Sequence, residues 1–106
     1  MSITITGKSG TVYSFDMYTV GTSFKALGAV YLMLKHDPQP EKPNWYRYIY
    51  VGETGDLSTR FSNHHKQSCF DRWGVDWIGV HLDANEKSRK SKEADILAAN
   101  NLPCND

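Results

Sequence analysis

Residues Tyr48 to His65, YIYVGETGDLSTRFSNHH, constrain this chain more than any other stretch, because a strand, a tight turn and a helix start follow one another without a gap. Tyr48-Ile49-Tyr50-Val51 strings together aromatic and β-branched side chains, the composition of a strand. Strand residues face alternate sides, so Tyr48 and Tyr50 are expected on one face. Gly52 ends that pattern, Gly55-Asp56 turns the chain, and a short helix is expected from about Leu57. On such a helix Arg60 and His64 stand four apart and project from one side. A phenol, a guanidinium and an imidazole would then meet at one strand-turn-helix corner.

The rest of the chain bounds what that corner belongs to. At 106 residues it has room for one modest core and hence one domain. An apolar fraction of 40% and a charged fraction of 23% are those of an ordinary folded protein. Twelve Lys and Arg balance twelve Asp and Glu, which excludes coating of a nucleic acid through bulk charge but leaves local patches open. No apolar run approaches the roughly 20 residues of a membrane span. The alternating Ile3-Thr4-Ile5 is strand-like, unlike a secretory leader. A cytoplasmic protein with no membrane partner is therefore expected. Cys69 and Cys104 form no CxxC pair, and reduced thiols are expected in place of a disulfide.

Read in order, residues 2–18 suggest a hairpin around Gly7-Lys8-Ser9-Gly10. Residues 16–25 form a connector without a clear period. Gly28 to Lys35, GAVYLMLK, is apolar enough for a strand covered on both faces. Residues 36–44 hold three of the four prolines and must form a loop. After the strand-turn-helix corner, Cys69 to Gly74 reads as a helical turn or a packed loop, and Val75 to Leu82 alternates as a further strand. Asp83 followed by Glu86 has the spacing of a capping box, predicting a helix that runs to about Ala99 and stops at Asn100-Asn101. The expected fold is α+β: a small mixed or antiparallel central sheet flanked by helices, preceded by an extra N-terminal hairpin. All 106 residues fall in one domain, with residues 1–27 as hairpin and connector and 28–105 as the core.

Several residues now line up with a known family. Ala29-Val30-Tyr31 and Tyr50-Val51-Gly52 resemble the paired Gly-Ile-Tyr and Tyr-Ile-Gly elements of GIY-YIG endonucleases. Thr54, Leu57, Arg60 and His64 fall where that family places its turn, helix contact, Arg and His. Glu93 resembles its metal-binding Glu and Asn105 its C-terminal Asn. Ala29 stands where the family has glycine, Val30 and Val51 where it has isoleucine, and the proline loop lengthens the gap between the two elements. There is no room for the separate DNA-recognition domain the family often carries. The resemblance implies a metal-dependent endonuclease that hydrolyses DNA by one-metal, in-line attack of water. It implies Tyr31, Tyr50, Arg60, His64 and Glu93 as catalytic residues and one Mg²⁺ or Mn²⁺ on Glu93.

The chemistry accords with such a set. Mg²⁺ commonly takes one or two carboxylates and keeps its waters, and a divalent ion neutralises charge developing on a phosphate. Arg60 presents a permanently charged fork suited to phosphate, and Tyr31 is placed to orient or deprotonate water if its pKa falls from about 10. Lys66, Arg72, Lys87, Arg89, Lys90 and Lys92 form a basic set for sequence-independent phosphate contacts. Each residue also has an ordinary explanation: Tyr31 as a core tyrosine, Arg60 as a surface partner, residues 87–92 as a solvated helix face, Glu53 as a turn residue, Tyr48 as packing. A zinc site from His64, His65, Cys69 and Cys104 is disfavoured, since adjacent helical histidines point about 100° apart. The rival functions are a non-catalytic nucleic-acid-binding module and a protein-interaction scaffold. RNA as substrate is left open, as is a protein partner that supplies specificity.

Overall fold

Six consecutive buried residues, Ala29 to Leu34, show why the apolar stretch sits inside the sheet: both of its faces are covered. In a computed structural model, which describes residues 1–105, this strand is β3 (Ala29–His36). The others are β1 (Ser2–Thr6), β2 (Val12–Thr19), β4 (Tyr46–Thr54) and β5 (Trp77–Leu82). They form one fully antiparallel sheet in the order β1-β2-β5-β3-β4, and three helices complete an α+β domain: α1 (Leu57–Arg60), α2 (Gln67–Trp73) and α3 (Glu86–Ala99). No helix among the described residues is long and apolar enough to cross a membrane.

Alternation along the strands divides the core in two. Phe15, Val30, Leu32, Leu34 and Val51 pack with Ile96 of α3 and with Leu102. Ala29, Tyr31, Met33, Tyr50 and Ile78 pack with Leu57 of α1 and Phe70 of α2. The hairpin is no appendage, because β2 pairs along β5 from Asp16↔Val80 to Thr19↔Trp77. Its turn is tied to α3 by Asp95, which accepts from the Ser9 amide (2.9 Å) and the Tyr13 hydroxyl (2.6 Å).

The sheet's outer strands are closed by side chains and by the tail. On β4 the Cys104 amide donates to the Ile49 carbonyl at 3.0 Å, and the Asn105 carboxamide bonds both the N–H and the C=O of Val51 at 2.9 Å each. On β1 the Thr4 and Thr6 carbonyls accept from Tyr48 Oη (2.6 Å) and Asn100 Nδ2 (2.9 Å). Occupied edges of this kind block unwanted strand addition.

Five expectations are corrected. Gly52 does not end the strand but lies within β4, which runs on to Thr54. Tyr48 and Tyr50 do not share a face: the register passes from Met33↔Tyr50 to Leu34↔Tyr48, so Ile49 is a bulge residue and the two tyrosines enter opposite cores. α1 has four residues, so His64 lies beyond it and not one turn on from Arg60. The N-cap of α3 is Asn85, whose side chain accepts from the Ser88 amide at 2.8 Å; Asp83 lies before the helix and accepts from Asn85, Ser88 and Lys92. Finally, Cys69 and Cys104 are joined as a disulfide. α2 forms a true helix that ends on Gly74 in the left-handed region (φ 69°), and the tail returns along β4, which brings the two Cα atoms to 5.9 Å, within disulfide range. The expectation of a cytoplasmic setting loses the support it drew from free thiols.

Candidate active site

Tyr31 lies on β3 directly opposite Gly52 of β4. With no side chain at 52, the phenol can lie across the neighbouring strand. A Cβ there would fall 2.5 Å from Tyr31 Oη and 2.8 Å from Tyr50 Cε2. The glycine is thus required by the close approach of two aromatic residues and not by a turn.

Two nitrogen donors converge on the Tyr31 oxygen. Arg60 Nε donates to it at 2.9 Å and His64 Nε2 lies 2.6 Å away. The Lys66 amide donates to His64 Nδ1 at 3.0 Å, so Nδ1 is the bare nitrogen and Nε2 carries the proton that points at Tyr31. The phenolic oxygen therefore accepts twice, an arrangement that favours negative charge there. Burial opposes it and pushes the Tyr31 phenol far above its ordinary value, against the pull of Arg60. Tyr50 completes the cluster, with ring centroids 6.1 Å from Tyr31 and 5.3 Å from His64. Its phenol too is raised by burial, with Arg60 lowering it and Glu93 raising it.

His64 is buried, with 4% of its surface exposed. Burial, and then the charge of Arg60, hold its pKa down to about 4 from 6.5. The native state thus binds fewer protons than the unfolded chain between those two values, and stability is lost as pH falls from 6.5 to about 4. Denaturant unfolding across that window should show a steeper loss for the wild type than for His64→Gln; equal slopes would place the acid sensitivity in other groups.

Glu93 reaches the cluster from α3. Arg89, Glu93 and Ile96 follow one helical face, and the first and last are buried where apolar residues would ordinarily sit. Arg89 was expected among the phosphate contacts and is corrected: only 5% exposed, it bonds Glu53 Oε2 through Nε at 3.0 Å and the Asp83 carbonyl through Nη1 at 3.1 Å. Glu53, expected as a turn residue, is the partner of a buried ion pair, whose rupture would strand a charge. Glu93 is half-buried beside it, and burial followed by the Glu53 charge raises its pKa. The Arg89–Glu53 pair was legible only as two charges in sequence, although Arg89, Glu93 and Ile96 at helical spacing were a visible hint that α3 buries polar groups.

The remaining basic residues are spread out. Arg72, Lys87 and Lys90 are exposed, Lys90 with Glu86 3.4 Å away. Lys92 is held by Asp83 at 2.9 Å and also meets His81 Nε2 at 2.9 Å. Lys66 is half-buried beside His64. Among the described residues no group of three or more His, Cys, Asp or Glu is arranged to hold a metal, and the disulfide removes both cysteines from any zinc set. His64 and His65 are not helical, and their rings stack at 4.6 Å. A single carboxylate with a raised pKa beside a second one still suits a hard cation that keeps its waters, since added positive charge relieves the repulsion. Comparison with protein-family models, with curated proteins and with solved structures finds no match.

Proposed function

We propose that this domain is a GIY-YIG-like, metal-dependent endonuclease that hydrolyses phosphodiester bonds, with DNA as substrate. One observation carries the reading: Tyr31, buried in an apolar core, accepts N–H donors from Arg60 and His64 directly over a glycine that leaves room for it. A merely structural tyrosine needs one partner for its hydroxyl; two donors on its oxygen suit an atom that takes up negative charge during a reaction.

In this reading Glu93 holds a single Mg²⁺ or Mn²⁺, which when bound neutralises charge on the phosphate oxygens. Tyr31, fully enclosed and with its phenol raised by burial, would orient the attacking water and take its proton only in a substrate-bound state that opens and ionises its oxygen. His64 fixes the Tyr31 oxygen in place. Arg60 holds the Tyr31 oxygen through Nε, also interacts with Tyr50, and presents its permanent charge to the phosphate. Tyr50, beside His64 and in the field of the Arg60 and Glu93 charges, hydrogen-bonds water or phosphate. Arg72, Lys87 and Lys90 offer sequence-independent contacts to flanking phosphates.

The test is nicking of supercoiled plasmid by purified protein with Mg²⁺, Mn²⁺ or EDTA. Metal-dependent nicking is expected. Salt-sensitive binding without cleavage under any metal would replace the nuclease with a binding module, and binding to no nucleic acid would favour a protein-interaction scaffold. Arg60→Ala is expected to lower kcat by about 10²–10³, with a smaller change in KM, because its charge matters most as charge develops. A defect confined to KM would reduce Arg60 to a binding residue.

A further inference from the structure

Beside Tyr31, on the α1 and α2 side of the sheet, lies a cavity of about 460 Å³. Its floor is apolar, formed by Met33, Leu57, Phe70 and Ile78. Phe24, from the segment after β2, and Phe61, the residue after Arg60, touch one another with ring centroids 5.6 Å apart and planes at 55°, and together form one aromatic wall of it. Phe61 is shared with the catalytic cluster, its ring edge-on to Tyr31 at 5.1 Å. The rim carries the hydroxyls of Ser58 and Ser62 and the Gln67 carboxamide, whose Nε2 donates to Asp71 at 2.9 Å.

The lining excludes most occupants. It contains no Lys or Arg, and its one charged residue is the acidic Asp71, so a phosphate is repelled. What fits is a flat, neutral ring with hydrogen-bonding groups along one edge. The aromatic wall stacks one face of such a ring, and a rim of hydroxyl, amide and carboxylate groups accepts from or donates to its edge. Cations lie outside the cavity, at Arg60, where the phosphate of the same nucleotide would be held.

Resting on the nuclease reading, we infer that this cavity receives a nucleobase of the strand being cut, unstacked and swung out beside the scissile phosphate. The substrate class is then single-stranded DNA, or duplex with an unpaired or weakly paired base at the cleavage position, since unstacking a base is least costly there. Fully paired duplex should be the poorer substrate.

The experiment measures binding in EDTA, where no cleavage intervenes, of a short single-stranded DNA that carries one 2-aminopurine. Its counterpart has an abasic site at that position. Two variants probe the cavity: Phe24→Leu removes one ring of the aromatic wall and keeps its apolar bulk, and Ser62→Leu narrows the mouth from an exposed position. The wild type is expected to quench the 2-aminopurine on binding. Both variants should bind the base-bearing strand about 5- to 150-fold more weakly while binding the abasic strand as the wild type does. If the variants bind both strands like the wild type, or weaken both equally, the base pocket is overturned and the nuclease reading stands. If no strand binds, the base pocket is overturned, and metal-dependent plasmid nicking decides the nuclease reading separately.

Discussion

Replacing Glu93 with Gln is expected to bring cleavage down to background while the protein becomes no less stable, and slightly more so at neutral pH. The two halves of this expectation come from one observation. Burial and the neighbouring Glu53 make it hard for Glu93 to carry its charge in the folded state. A carboxylate with a raised pKa weakens the fold wherever it is ionised, and stability rises as pH falls through its folded value. Glutamine keeps the shape, loses the charge and thereby removes the penalty, but it cannot hold a divalent cation as a carboxylate does. A group that the fold tolerates at a cost and that activity needs is the signature of a functional residue. Thermal or denaturant unfolding of both proteins at neutral and mildly acidic pH, alongside plasmid nicking, checks it. A large loss of stability in Glu93→Gln would assign the residue to the fold, and undiminished nicking with Mg²⁺ would end its role as a metal ligand.

Gly52→Ala is expected to act in the opposite sense and damage fold and activity together. One methyl group would stand 2.5 Å from the Tyr31 hydroxyl oxygen, closer than such atoms approach, with Tyr50 Cε2 2.8 Å away. The buried rings have nowhere to go, because Tyr31 is fully enclosed and Tyr50 nearly so. Overpacking of this kind costs about 1–3 kcal/mol, and a shift of about 1 Å in a reacting group can cost about a hundredfold in rate. The second substitution Tyr31→Phe removes the nearest clashing atom, the hydroxyl oxygen, and leaves the ring carbon Cζ at 2.6 Å and Tyr50 Cε2 at 2.8 Å. The double variant should therefore recover part of the lost stability and none of the activity. Equal stability for single and double variants would mean that the strain lies elsewhere along β3 and β4.

These expectations depend on features of unequal visibility in the sequence. Strand positions were readable because alternation is a local property: the apolar stretch of β3 and the alternating β5 declare themselves residue by residue. The Ile49 bulge was not readable, since a bulge is defined by the partner strand and the register against Met33 and Leu34 appears only once β4 is paired. It reverses the expected placement of Tyr48 yet leaves Tyr50 on the side where Tyr31 and His64 are found. The meeting of Arg60 with His64 was anticipated from helical spacing, but α1 is too short to supply it; the shared partner Tyr31 does so instead. Likewise the Arg89–Glu53 and Cys69–Cys104 pairs join residues far apart in sequence, and neither charge nor thiol identifies its partner by spacing.

The tail that closes β4 also bears on the order in which the molecule comes into being. Ile96 and Leu102 complete one half of the core, and Cys104 completes the other. A chain emerging from the ribosome in sequence order has Tyr31, Tyr50, Arg60 and His64 early, but until residue 104 follows it has neither layer finished to hold them in register. Glu93 arrives on the same late segment as the tail. During synthesis the cluster is thus incomplete twice over, in its chemistry and in its support, until residues 93–105 have left the ribosome.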